Sequence, residues 1–172
     1  MALSMIGAKP GDRVLVVTAG DGTLAAQLGL VTGLNGRTLV VDTESISSEK
    51  TAAAAADAGA LVDFSVAPIA AIPESDASFD IVVFNHTLGP LPEWERGRAC
   101  AEALRVLRPA GRLMAIERTP RPGLFGLVSH VTGPAASGAD VVDVAQRTGF
   151  KAARILGESE GVVFVEATKA RT

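Results

Sequence analysis

The chain has 172 residues, 48% of them hydrophobic and 20% charged, with a formal net charge of −3. That length fits one domain with a continuous core, and its apolar runs stay far below the roughly 18 residues of a membrane span. An acidic balance with no basic stripe or aromatic platform argues against nucleic-acid binding.

Along the chain, β-branched runs alternate with helical patterns. Arg13–Thr18 predicts a first strand, followed by Thr18-Ala19-Gly20-Asp21-Gly22-Thr23-Leu24-Ala25 as a turn into a helix over Thr23–Leu30. Glycines there let the backbone bend and let a ligand approach N–H groups at a helix N-terminus. Taken alone, Gly20-x-Gly22-x-x-Ala25 is more simply the tight bend that a strand-to-helix turn needs. Thr38–Val41 is the second strand, closed by Asp42. A carboxylate at that place can accept hydrogen bonds from both hydroxyls of a ribose, and it can equally cap the following turn. Turn, spacing and Asp42 together favour a nucleoside site across the carboxyl ends of the first two strands.

Ser47–Ala58 predicts the second helix, capped by Ser47 or Ser48 and rich in alanine. Val62–Val66 and Ile81–Asn85 are the next strands, and His86 follows at a strand end where α/β sites place functional groups. An imidazole there can deprotonate a nucleophile, or simply stand in an exposed loop. Trp94–Leu107 carries an apolar stripe of Ala99, Ala103, Val106 and Leu107, with Pro109 and Gly111 as its stop. Trp94 is expected to anchor the start of this helix against the sheet, and Glu93 and Glu95 to complement its dipole. Cys100, the only cysteine, excludes an internal disulfide and fits a packed side chain in a reducing compartment. With no secretory pattern in Met1–Ile6, a cytoplasmic location is expected.

Leu113–Arg118 is the fifth strand. Pro120–Gly138 reads as a loop and candidate flap, with a short helix around Leu124–His130, and His130 as a surface residue. A helix over Asp140–Thr148 follows. Lys151–Leu156 and Val162–Lys169 are separated only by Gly157–Gly161, too short for a crossover, so they pair as an antiparallel hairpin. The expected fold is a Rossmann-like three-layer α/β sandwich over residues 1–172. Its seven-stranded sheet is mostly parallel, with Val162–Lys169 inserted beside Leu113–Arg118.

Several stretches, in order, resemble the class I S-adenosylmethionine-dependent methyltransferases, in particular the small-molecule branch typified by ubiquinone-biosynthesis enzymes. Lys9–Val17 resembles the lead-in to their glycine motif, Asp76–Val82 the approach to their fourth strand, and Leu104–Leu113 the passage into their fifth. Gly149-Phe150 with the closing hairpin resembles the family's last helix and strands. The resemblance implies S-adenosylmethionine as cofactor and Gly20, Gly22, Asp42, Ile69 and Asn85 as its contacts. It leaves His86 as the candidate catalytic group and implies no metal. Three positions depart from the family: Val16 and Pro68 stand where acidic residues usually hold the methionine amino and adenine amino groups, and Thr18 where a glycine is usual. Only Met1–Asp12 precede the first strand, which implies an open cleft suited to a large substrate, a partner subunit or no substrate; the expected partners are a small-molecule acceptor or a protein that covers the cleft.

Three readings follow. The first is a methyltransferase, whose chemistry needs orientation and a dry site more than a fixed acid–base pair. The second is a degenerate domain used for binding or assembly, consistent with Val16, Thr18 and Pro68. The third, a nicotinamide-dependent oxidoreductase, is opposed by the closing hairpin and by the absence of tyrosine.

Overall fold

The computed structural model describes residues 1–18, 20–119 and 136–172. Strands β1 (Arg13–Val17), β2 (Arg37–Asp42), β3 (Asp63–Val66), β4 (Phe79–Asn85), β5 (Leu107–Arg118), β6 (Lys151–Ser159) and β7 (Val162–Thr168) form one sheet, ordered β3-β2-β1-β4-β5-β7-β6. Neighbours from β3 to β5 are parallel, and β7 runs antiparallel to both β5 and β6. This is the expected topology, with β7 inserted beside β5.

Alternation along the strands explains the two cores. Leu15, Val17, Leu39, Val41, Leu113 and Ala115 face one side. There they pack against Ala99, Cys100 and Ala103 of α4 (Glu93–Val106) and Val141 and Val144 of α5 (Gly138–Thr148). Val14, Val16, Val40, Ile81 and Met114 face the other side. There they meet Ile6 of α1 (Ala2–Ile6) and Ala25 and Leu28 of α2 (Thr23–Thr32). Parallel strands buried on both faces must be apolar at successive positions, as β1 and β4 are. Helix α3 (Ile46–Ala58) lies beside α2 and β3.

Several boundaries differ from the sequence expectation. Ser47 and Ser48 lie inside α3; the N-cap is Ser45, without a side-chain cap bond, and the buried Ser47 accepts the Thr51 hydroxyl at its carbonyl. Helix α4 ends at Val106, ahead of Pro109, because Leu107 is already extended and begins β5. Strand β6 continues to Ser159, so the hairpin link is only Glu160-Gly161, both at positive φ, as a two-residue hairpin turn requires. Helix α1 was not expected; Arg112 holds it by donating to the carbonyl of Ile6 at 2.6 Å while pairing with Glu166. Trp94 does not anchor α4 against the sheet: it is 62% exposed, and Ala99, Cys100 and Ala103 make that contact instead.

Residues 120–135 of the expected flap, including the helix around Leu124–His130, lie outside the described residues. The last flap residues, Ser137 and Gly138, instead open α5. Ser137 Oγ accepts from the Asp140 N–H, and the Asp140 carboxylate accepts from the Ser137 N–H at 2.8 Å, a reciprocal capping box. Ser137→Ala should therefore lower stability by about 0.5–2 kcal/mol in denaturant unfolding, and an unchanged midpoint would show that the box contributes nothing.

Candidate functional site

All five parallel strands from β3 to β5 end at one edge of the sheet, and with helices on both faces this edge is where loops can form a cleft. A cleft of about 500 Å³ opens there, walled by Thr18, Thr43, Pro68, Ile69, His86 and Trp94. Its size is that of a small-molecule site. A second cleft continues past the β4 end, between Gly20 and Leu24 on one side and Arg118 and Phe164 on the other, with Asn85 and His86 at its floor. His86 borders both.

The glycine turn has two distinct reasons for its glycines. Gly20 has φ 62°, and a Cβ placed on it would meet only Asn85 Nδ2, at 3.5 Å, so its face is open to a ligand. Gly22 has φ 82°, but a Cβ there would come within 2.7 Å of Thr51 Cα and 3.0 Å of the Lys50 carbonyl. Its smallness lets α2 approach α3, a packing role that the sequence motif does not reveal. Asp42 closes β2 and is nearly buried, and its Oδ1 accepts from the Glu44 N–H at 3.2 Å. The turn-forming use left open by the sequence is thus present. Ile69 packs against the α4-side core and reaches the first cleft.

His86 adopts φ 56°, the left-handed region, where its N–H donates to the Ile116 carbonyl at 2.8 Å. Partial burial, and then the Arg118 guanidinium, lower its pKa below the ordinary 6.5. The ring is accordingly neutral near pH 7 and able to accept a proton.

The turn after His86 is held by a residue the sequence reading passed over. Glu117, 1% exposed, accepts from the N–H groups of Thr87 (3.1 Å), Leu88 (2.8 Å) and Gly89 (3.1 Å). Gly89 lies close to the same carboxylate, since a Cβ there would sit 3.0 Å from Glu117 Oε2 and press on it. Thr87 adds a bond from its hydroxyl to the Val17 carbonyl at 3.0 Å, tying the turn to the end of β1. The available signal was parity: Glu117 shares a strand face with Leu113 and Ala115, so a charge falls on a core-facing position. Burial pushes its carboxyl up to about 6, against the three N–H bonds and Arg96, which lower it.

Residues 14–111 match the methyltransferase domain family. The chain belongs to that family. It is 29% identical over 117 residues to the ubiquinone/menaquinone biosynthesis C-methyltransferase UbiE of Teredinibacter turnerae, covering 67% of this chain and 46% of the relative. It is 28% identical over 148 residues to the 27-O-demethylrifamycin SV methyltransferase of Amycolatopsis mediterranei, covering 86% and 54%. The chain thus spans about half the length of the curated relatives it matches. A SAM-dependent methyltransferase from Aquifex aeolicus superposes with TM-score 0.80 at 20% identity, over 97% of this chain and 87% of that one. The [4+2]-cyclase SpnF superposes with TM-score 0.77 at 18% identity, over 99% and 78%; such likenesses show the fold.

S-adenosylmethionine is the cofactor that goes with this methyltransferase family, and the open face of Gly20 beside Asn85, next to an apolar cleft ending at Ile69, fits it. The three departures acquire physical content in the structure. Val16 is fully buried in the α2-side core. Pro68 walls the first cleft without an N–H to offer. Thr18 holds φ 67°, a conformation that glycine adopts freely and a β-branched residue resists by about 1–3 kcal/mol. Thr18→Gly should therefore raise stability by about 0.5–1 kcal/mol, the relief exceeding the added unfolded-chain entropy; a lower melting temperature would contradict it.

A second expectation concerns pH. The folded-state pKa of Glu117 lies above its ordinary 4.5, at about 6, so its contribution to stability is full below the ordinary value and is lost as pH rises through the folded one. Against Glu117→Gln, which cannot titrate, wild type should lose about 2 kcal/mol in all, of which roughly 1.2 kcal/mol falls between about pH 5 and about pH 8. Unfolding of both proteins at about pH 5 and about pH 8 measures the difference; a gap that does not widen in favour of glutamine at the higher pH would refute it.

Proposed function

We propose that the chain is an S-adenosylmethionine-dependent methyltransferase acting on a small-molecule acceptor. The observation that carries this reading is the meeting of Gly20, Asn85 and His86 at the join of the two clefts, with Asp42 and Ile69 at the ends of the adjoining strands. In this reading the adenosine lies in the cleft walled by Thr43 and Ile69, its ribose on Asp42 and its methionine part over Gly20 and Gly22. The cofactor supplies an electrophilic methyl group on a sulfonium. The protein orients the acceptor and excludes water, and neutral His86 at the junction takes the proton of the acceptor's nucleophile. The acceptor enters from the Arg118 side, where the second cleft is open. The two relatives, a ubiquinone/menaquinone biosynthesis C-methyltransferase and a 27-O-demethylrifamycin SV methyltransferase, support a small-molecule acceptor.

Val16 and Pro68 favour a second reading, a domain that binds cofactor or partner without turnover. Neither residue supplies the acceptor atom that an ammonium or adenine amino group needs. If each lost contact is worth on the order of 1–3 kcal/mol, affinity for the cofactor falls at least about tenfold below that of a complete site.

Trp94 is the only tryptophan and walls the first cleft, so its fluorescence reports occupancy directly. Titration with S-adenosylmethionine, S-adenosylhomocysteine and NADH should give saturable, weak binding of the first two and none of the third. Asp42→Ala should weaken that binding by about 1.5–3 kcal/mol for each bond lost. Unchanged affinity in this variant would reduce Asp42 to its turn role, and binding of NADH alone would overturn the methyltransferase reading.

A further inference from the structure

A carboxylate buried among apolar side chains with no cation in contact is an expensive choice, because the charged form loses its hydration. Glu117 is such a group. Among the described residues no ion pair reaches it, β7 presents Val163 opposite it, and Arg96 on α4 acts on it only through space. The charged or titratable side chains nearest along the backbone are Arg118, its neighbour in β5, and His86, next to the turn it binds. What the carboxylate touches is backbone: three consecutive N–H groups converge on its two oxygens, Thr87 and Leu88 on Oε1 and Gly89 on Oε2. The ionised carboxylate thus satisfies three N–H groups of one turn at once, and a Cβ on Gly89 would press on it at 3.0 Å.

Resting on the methyltransferase reading, we propose that Glu117 is a positioning residue for the reaction: its ionised carboxylate sets the 87–89 turn, and through it the strained backbone of His86 and the side of the first cleft that Thr87 also lines. The path is short. Thr87 lies between Glu117 and the Val17 carbonyl at the end of β1, so the turn bridges the strand end that precedes the glycine turn and the strand end that carries Arg118. Protonation turns one of the two oxygens into a hydroxyl, a weaker, neutral acceptor for the N–H groups it faces, so the hold on the turn loosens. Glutamine reproduces that state permanently: its carbonyl can keep Thr87 and Leu88, while its NH₂ faces the N–H of Gly89.

The test compares wild type with Glu117→Gln and Glu117→Ala, using S-adenosylhomocysteine as probe, Trp94 fluorescence as binding signal, and the imidazole proton resonance of His86 as reporter of the turn. The chain has two histidines, so a His130→Gln spectrum assigns the signal. At pH well above 6, Glu117→Gln should bind the probe at least about threefold more weakly, Glu117→Ala more weakly still, and the His86 resonance should move in both. On acidification through about 6, wild-type affinity should fall to the glutamine value; whatever pH dependence remains in Glu117→Gln belongs to His86. Affinity and His86 resonance equal to wild type in a cooperatively melting Glu117→Gln would overturn the proposal. A measurement on wild type needs no variant: the amide signals of Thr87, Leu88 and Gly89 should share one titration step near 6, and its absence is equally fatal. Should wild type bind no probe, the methyltransferase reading fails, while the amide and His86 signals still decide the role of Glu117.

Discussion

A parallel sheet covered by helices on both faces leaves only its strand ends for chemistry, and this constraint orders the whole molecule. Strands β1 and β4 are apolar at successive positions because α2 packs on one side of them and α4 on the other. No polar group can serve a ligand from within those faces without losing its hydration. Polar side chains that can reach a ligand therefore sit at the ends of the strands, with Thr18 just after β1 and Asp42, Asn85 and Arg118 as the last residues of β2, β4 and β5. Each of them follows or ends an apolar run whose burial fixes its position.

Holding the loops at the two edges of the sheet needs interactions beyond the apolar packing of helix on sheet. Two devices do this work, and both use side chains to satisfy backbone groups. Glu117 accepts the N–H groups of the turn after β4. At the opposite edge, where β4 and β5 begin, Arg105 near the end of α4 donates to the carbonyls of Ile72 and Glu74 and pairs with Glu102 and Asp76, which pins the segment leading into β4. The arginine cluster is partly exposed, so each of its ion pairs adds little alone. The glutamate is buried and its charge opposes folding at neutral pH, yet it organises the backbone beside His86. The two devices differ in kind: one adds modest stability, the other maintains shape at a cost in stability.

Membership in the methyltransferase domain family and the condition of the site are separate findings. Family membership rests on residues 14–111, much of which is core and turn. Core positions preserve a fold by packing alone, whatever happens to the few polar atoms that grip a ligand. Val16 illustrates the point, since in the middle of β1 it completes an apolar interface and offers a ligand no polar side-chain atom. Thr18 runs the other way, keeping the backbone path of the glycine turn while straining the residue that makes it.

The order of elements, the class of sheet and the closing hairpin were determined by the sequence itself. Runs such as Val14–Val17 and Ile81–Phe84 can be buried only on two faces, and the short link before Val162 allows only an antiparallel return. Candidate residues at strand ends, Asp42 and His86 among them, were legible for the same reason, because position along an apolar run predicts where it stops. Tertiary structure alone decided the rest. Gly22 answers to the backbone of α3, the exposure of Trp94 to the small residues that pack α4 in its place, and the importance of Glu117 to a turn some thirty residues earlier in the chain. These are contacts between distant segments, and local periodicity carries no record of which segments meet.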